Sequence, residues 1–248
     1  NYAVIDLERL AHHKGSAYGA IGQLPQPSQE MFENIVAEKL WEVNKKQKSI
    51  WIEDESQRTT AQRAGLTDSV LRAMVLFPDS VSLHTAAFHT IVLLARPLGG
   101  KEGMLFHSSM VNSSGIFNNG SRNDKNGIAV MLDSMRRFQT DEVLQAMSCW
   151  SLVNIALAPS QKAVLVKLGG IEVVANAMIQ HPYDVEVQFR ALFALINLVI
   201  PSVSLPDEVN SALQEQLGDV NNPTEKEVLD EHVEQITNLV VQAMKNFC

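Results

Sequence analysis

The chain has 248 residues and a formal net charge of −8; 46% of its residues are hydrophobic and 19% are charged. This length allows one large domain or two small ones, and the composition excludes a fibrous or wholly disordered protein. Since a nonspecific electrostatic grip on nucleic acid needs clustered Lys and Arg, a net negative charge argues against such a grip and favours a basic partner.

Cysteine content and hydropathy indicate the compartment. Cys149 and Cys248 are the two cysteines of the chain, too few for a disulfide framework or a four-Cys zinc site. No apolar run reaches the length of about 20 residues that crosses a bilayer, and no signal peptide opens the chain. We therefore expect an intracellular protein, cytoplasmic or nuclear, without a membrane contact. Because the first residue is Asn1 and not Met, we also expect a piece of a longer product.

Residues 1–66 carry the pattern of a small βαβ segment. Two apolar runs that end in carboxylates, Tyr2 to Glu8 and Ser49 to Glu55, are typical of buried parallel strands. Between them Ser28 is placed to cap a helix, and the loop after the first strand lies where open α/β sheets bind ligands. The apolar residues of that helix are Phe32, Ile35, Val36, Leu40 and Val43. Such a unit is too small to be stable alone, so it leans on missing upstream strands or on the helices that follow.

Three blocks in this segment resemble the P-loop half of tRNA 2-selenouridine synthases: DLERLAHHKGSAYG, QPSQEMFEN and IWIEDESQR. The resemblance ends near Arg58. In that family a rhodanese domain with a catalytic Cys precedes the P-loop domain, and the enzyme exchanges sulfur for selenium on a tRNA wobble uridine through a geranylated intermediate. This chain departs from the family pattern at His12, Lys14 and Tyr18, where Asn, Arg and Phe are usual.

The resemblance implies a substrate-facing loop after the first strand and an acidic tip on the second strand. Acid groups at a strand tip hold Mg²⁺ or orient water near phosphates. The alternative is that these residues form a solvated edge or a relic. The residues implied for nucleotide or substrate binding are Asp6, Glu8, His13, Lys14, Gly15 and Ser16 in the loop, and Glu53, Asp54, Glu55 and Ser56 at the tip.

Two catalytic elements of that family are missing from the printed sequence. The 248 residues contain no Walker A string, GxxxxGK[ST], whose backbone N–H groups would surround the phosphates, and no rhodanese-type Cys loop. We therefore expect that this chain by itself does not complete the catalysis, and we assign it no catalytic residue and no cofactor.

From residue 67 onward the sequence predicts helical repeats. A shift of 43 residues places Met135 on Met178, and a shift of 61 places Met74 on Met135; periods of this size are typical of stacked helical repeats. The same shifts pair further residues: Leu144 with Val187, Trp150 with Phe193, Asn154 with Asn197, Phe77 with Phe138, and Leu83 with Leu144.

The predicted fold is therefore mainly α: an armadillo-like α-solenoid of about three repeats over residues 67–248, preceded by the βαβ segment. Residues 97–126 form a loop insertion in the first repeat, and a small helix from Ser160 to Leu168 ends at Gly169. Residues 201–248 form a C-terminal cap, which ends in an amphipathic helix from Thr224 to about Phe247.

The resemblance to armadillo repeats rests on the GGI start at Gly169, the DVEVQ turn at Asp184 and the SLVNIA ending at Ser151. The spacing Trp150-x-x-x-Asn154 is similar to the W-x-x-x-N of importin-alpha type proteins, in which the Asn amide binds the backbone of an extended peptide and Trp rings enclose Lys or Arg stems.

The resemblance implies a partner-binding surface at Trp150 and Asn154, with a weaker copy at Phe193 and Asn197. The structural alternative is that the Asn side chains brace neighbouring carbonyls and the Trp packs in the core.

No metal site is predicted, because the nearest candidates, His84, His89 and His107, are too scattered to share one ion. Two hypotheses for the function remain. The first, which the repeats favour, is a protein-protein interaction scaffold that binds an extended, basic segment on a concave surface. The alternative is a fragment of a tRNA-modifying enzyme of the selenouridine synthase type, whose partner is tRNA and whose helical repeats are an appendage.

Overall fold

The computed structural model describes residues 26–53, 65–95, 126–200 and 225–247, together with positions 56, 60, 61, 110 and 111. Over these residues the chain forms nine helices and no strand, which confirms the mainly α fold class. The predicted first strand, nearly all of the predicted loop insertion and residues 201–224 of the cap lie outside the described residues. The chain divides into two compact units, Asn1–Val130 and Met131–Cys248, and each unit is described separately.

The first unit contains helices α1 (Gln26–Glu53), α2 (Leu66–Leu76) and α3 (Val81–Leu94). Helix α1 packs along α3, and α2 forms a hairpin with α3. Val36, Leu40 and Val43 of α1 are buried at the predicted helical spacing, whereas Ile35 is 41% exposed.

The second predicted strand is wrong, because Ser49 to Glu53 are the last residues of α1. The run IWIE has high β-propensity, but no Gly or Pro separates it from the helix before it. A helix that has already nucleated gains one hydrogen bond for each residue it adds, and this gain outweighs a weak local preference. The predicted βαβ segment therefore lacks its second strand.

Polar side chains connect α1 to α3 within the core of the first unit. The Asn44 side-chain amide donates to the Ala86 carbonyl at 3.0 Å, and the Thr90 hydroxyl donates to the Asn44 amide oxygen at 2.8 Å. Buried polar groups that find such partners fix the register of the two helices. The N-terminal segment therefore leans on the helices that follow it, one of the two alternatives left open by the sequence.

The second unit contains most of helix α4 (Gly127–Arg137), within which the division between the units falls, and five further helices. These are α5 (Glu142–Ile155), α6 (Pro159–Lys167), α7 (Gly170–Gln180), α8 (Val185–Val199) and α9 (Glu225–Phe247). Helix α5 packs along α8, and α7 forms a hairpin with α8. Helix α6 ends beside Gly169, whose φ of 82° lies in the left-handed region that favours glycine, close to the predicted position.

Helix α9 begins one residue after the predicted cap Thr224 and packs on α6, α7 and α8. The Asn246 amide donates to the Pro182 carbonyl at 2.8 Å and anchors its C-terminal end. Of the apolar face predicted for this helix, Ile236, Leu239 and Val240 are half-buried, whereas Val233 and Met244 are exposed.

The second helix of each of the three hairpins begins with the same kind of cap. In each case a side-chain oxygen accepts a hydrogen bond from the backbone N–H three residues later, which satisfies one orphan donor of the first turn. The pairs are Ser80 with Leu83 at 3.3 Å, Asp141 with Leu144 at 2.8 Å, and Asp184 with Val187 at 2.7 Å.

Four residues after each cap, a side chain of the second helix bonds two carbonyls at the end of the first helix; we call this contact the turn clamp. His84 contacts the carbonyls of Met74 and Phe77 at 3.0 and 3.1 Å, and because both partners are acceptors its Nε2 carries the proton. In the other hairpins the donor is a glutamine amide: Gln145 to Met135 and Phe138 at 2.9 and 3.0 Å, and Gln188 to Met178 and His181 at 2.8 and 3.0 Å.

The clamps and caps recur at shifts of 61 and 43 residues, so the predicted alignment of the three hairpins is confirmed. Their stacking into one solenoid, and the predicted domain limits, remain predictions. Among the described helices none is by itself long and apolar enough to cross a bilayer; α6 and α7 reach that threshold only as a pair, bent by 69°.

Replacing Gln145 by Leu removes the donor of one turn clamp, and we expect the free energy of unfolding to fall by about 1 to 2 kcal/mol because one buried and one partly buried hydrogen bond are lost. His84→Gln is the matched control, since it introduces the residue that the other two hairpins use, and we expect a smaller change. Urea denaturation followed by circular dichroism measures both. Equal losses in the two variants would contradict a stabilising role for the clamp.

Candidate functional site

The site residues implied near the N-terminus fall almost wholly outside the described residues. This holds for Asp6, Glu8, His13, Lys14, Gly15 and Ser16, and for Asp54 and Glu55. Glu53 is described in its backbone, and it lies at the C-terminal end of α1 instead of at a strand tip. A helix C-terminus exposes carbonyls, so the backbone there offers a phosphate no N–H donors and favours a cation.

The predicted partner-binding residues lie on two helices that pack side by side in the second unit. The rings of Trp150 on α5 and Phe193 on α8 meet edge to face, with centroids 6.4 Å apart and planes at 63°. Phe189, which the sequence analysis did not single out, adds a third ring at 4.8 Å from Phe193. Aromatic pairs in these geometries attract each other beyond simple burial. The structure therefore brings two of the predicted residues together and extends them to an aromatic cluster.

Arg190 occupies the face of the Trp150 ring. Its guanidinium carbon lies 5.9 Å from the ring centroid, within the range of a cation–π contact. The same guanidinium lies 2.9 Å from the Met147 sulfur and 2.6 Å from a carboxylate oxygen of Glu186. The position predicted for a partner's Lys or Arg is thus filled by a residue of this chain, which disfavours a basic side chain at this ring. The Glu186-x-x-x-Arg190 spacing was the sequence signal for this pair.

The two asparagines lie one turn after the aromatic residues, as predicted. The Asn197 amide donates to the Phe193 carbonyl of its own helix at 3.1 Å, which is the bracing role of the structural alternative. Asn154 is half-buried. Backbone recognition of a peptide by these amides stays a prediction.

Helix α1 contributes an aromatic contact that the sequence analysis missed. The Trp41 ring lies 4.9 Å from the His89 ring, centroid to centroid, with the planes at 55°. By the shifts of 61 and 43 residues, His89 in the first hairpin is equivalent to Trp150 in the second hairpin and to Phe193 in the third. Helix α1 therefore packs on α3 much as α5 packs on α8. The apolar spacing and Trp41 are sequence signals for this packing, which the predicted βαβ unit does not contain.

Three further features of the described residues bear on metal binding, thiol reactivity and cavity space. No group of three or more His, Cys, Asp or Glu in this part of the chain is placed to hold a metal ion. Cys149 is fully buried, and burial raises the pKa of its thiol to about 12, so the reactive thiolate is suppressed at neutral pH. One cavity in the second unit has a volume of about 10 Å³, room for a single water, and is lined by Met135, Arg136, Gln139, Gln145, Val173, Asn176 and Ala177.

Comparison with known proteins shows a similarity in the N-terminal region. Residues 1–78 match the model of a family described as the tRNA 2-selenouridine synthase AAA domain. The match passes the point near Arg58 where the quoted blocks end, and it takes in α1 and α2. No solved structure matches the chain.

Three relatives carry the name tRNA 2-selenouridine synthase. The protein of Nitrosomonas europaea is 44% identical over 115 residues, which are 46% of this chain and 26% of that protein. Those of Nitrosomonas eutropha and Shewanella sediminis are 43% and 49% identical over 61 and 53 residues, covering 24% and 21% of this chain and 16% and 14% of the relatives. The chain thus spans about a quarter or less of the length of these relatives. Its N-terminal region is similar to the AAA domain of tRNA 2-selenouridine synthases.

Proposed function

We propose that this chain takes part in forming 2-selenouridine in tRNA, and that residues 1–78 contribute part of the AAA domain that handles the substrate. The match of these residues to the family model carries the proposal. The 44% identity to the Nitrosomonas europaea synthase supports it.

The charge of the chain indicates where tRNA would bind. The whole chain carries −8, which repels a polyanion, but two cations, Arg9 and Lys14, lie within six positions of each other with the neutral polar rings of His12 and His13 between them. A local cluster of this kind binds phosphates and releases their counterions, so binding is salt-dependent. The residues implied by the resemblance, His13 and Lys14 among them, lie in the same stretch. Because the printed sequence contains no Walker A string, we propose tRNA contact for this chain and no phosphate transfer.

Lys14→Glu tests the tRNA contact. We expect it to weaken tRNA binding and to lower the slope of log affinity against log salt by about 1, because one phosphate contact is lost. Fluorescence anisotropy with labelled tRNA over a range of KCl concentrations measures both quantities. Lys245→Glu on the exposed side of α9 makes the same charge change elsewhere and is the matched control. Equal effects of the two variants, or no binding of tRNA at low salt, would contradict the proposal.

A second function, capture of an extended segment of another protein, would belong to the helical hairpins. The observation that favours it is the aromatic cluster of Trp150, Phe189 and Phe193, with Asn154 and Asn197 one turn further along α5 and α8. Arg190 covers the Trp150 ring, so a basic segment must displace it before a Lys stem can reach the ring. Arg190 would then act as a competitor held within the chain.

Two variants separate peptide capture from a structural role. We expect Arg190→Ala to tighten binding of a short Lys-rich peptide several-fold, because it uncovers the indole face. We expect Asn154→Ala combined with Asn197→Ala to weaken the same binding while the melting temperature stays nearly constant. Isothermal titration calorimetry and thermal denaturation measure these effects. Unchanged affinity in both variants, or a large loss of stability in the second, would make these side chains structural.

A further inference from the structure

Helix α8 presents a line of apolar side chains to solvent; we call this line the outer stripe. Its members follow one another at spacings of four, four, three and four residues; the first four lie on one narrow face of α8, and the last is the residue at the C-terminal cap of the helix. They are Val185, Phe189, Phe193, Ile196 and Ile200, exposed by 62%, 52%, 42%, 50% and 55%. A contiguous apolar face of this kind on a soluble chain marks an interaction surface.

The repeat shows what kind of element covers such a face. A shift of 43 residues places the middle of the outer stripe on Ala146, Trp150 and Val153 of α5, and α5 packs along α8. There Ala146 and Val153 are only 5% and 8% exposed, and Trp150 is half-buried against α8 residues. On α5, the residues equivalent to these exposed residues of α8 are thus covered by the helix of a neighbouring repeat. The outer stripe is continuous with an established helix–helix interface.

The outer stripe is also self-complementary. Val185 and Phe189 precede Phe193 by eight and four residues, and Ile196 and Ile200 follow it by three and seven residues. The stripe therefore nearly superposes on itself when the helix direction is reversed. It contains no charged residue, and the flanking Glu186 and Arg190 neutralise each other at 2.6 Å. Two apolar faces with this symmetry meet without unpaired charges, as an isologous contact requires.

We propose that two copies of this chain pair through their outer stripes, with the α8 helices antiparallel and Phe193 close to the two-fold axis. Phe189 of each copy then packs against Ile196 of the other, and Val185 against Ile200. Five half-exposed side chains offer on the order of 400 Å² per copy, so the buried total of about 800 Å² lies below standard interfaces and gives a weak, concentration-dependent dimer. This inference does not depend on the proposed role in tRNA modification.

Analytical ultracentrifugation of the full chain over a wide concentration range tests the pairing. We expect a monomer–dimer equilibrium that Ile196→Glu weakens roughly tenfold or more, because a carboxylate would be buried in an apolar contact. Ile179→Glu on α7 is the matched control: Ile179 is 49% exposed and lies off the stripe, so this variant keeps the dimer. A wild-type chain that stays monomeric throughout, or a dimer equally affected by both variants, would overturn the proposal.

A cross-link tests the two-fold arrangement separately. In a Cys248→Ser background, Phe193→Cys places one thiol near the axis, where two Cα atoms about 4.4 to 6.8 Å apart allow a disulfide under mild oxidation. Buried Cys149 does not compete, because burial holds its pKa at about 12. Ile179→Cys is the control and is expected to stay monomeric on a non-reducing gel. A stripe-dependent dimer that Phe193→Cys fails to cross-link would overturn the antiparallel pairing at Phe193.

Discussion

The turn clamp is the interaction on which the helical architecture depends. Where the first helix of each hairpin ends, carbonyl groups lose their intrahelical partners while the chain around them is being buried. One side chain of the second helix, His84, Gln145 or Gln188, reaches back and satisfies two of these carbonyls at once. The hairpin can therefore bury its turn without leaving polar groups unpaired. Because the donor stands at the same position after each cap, all three turns close with the same geometry.

This shared geometry sets which helix faces remain available. In the second unit α8 covers one face of α5, and in the first unit α3 packs on α1 in a similar way. The polar contact of Asn44 with Ala86 and Thr90 makes the second of these interfaces specific. The region similar to the selenouridine synthases includes α1 and α2, so the first hairpin begins within that region, and a buried interface joins α1 to the second helix of the hairpin, α3.

The sequence predicted those features that depend on local periodicity and not those that depend on tertiary contact. The register of the three hairpins was predictable because Met74, Met135 and Met178 repeat with their caps. The continuation of α1 through Ser49 to Glu53 was not, because three residues of high β-propensity favour a strand locally and only the preceding helix decides otherwise. Arg190 over Trp150 was also missed, since 40 residues separate them and their contact exists only once α5 and α8 pack. The same limit applies to His84, whose clamping role becomes visible only beside the two glutamines.

Phe193 links the two binding hypotheses for the helical hairpins. It contacts Trp150 within the aromatic cluster, and it also lies at the centre of the outer stripe. A second copy seated on the stripe would cover the side of Phe193 that an extended peptide needs, so dimerisation and peptide capture compete for one face. The concentrations of protein and peptide then decide which contact forms. The amount of dimer rises with the square of the free protein concentration, whereas the fraction of protein bound to peptide rises with the free peptide concentration.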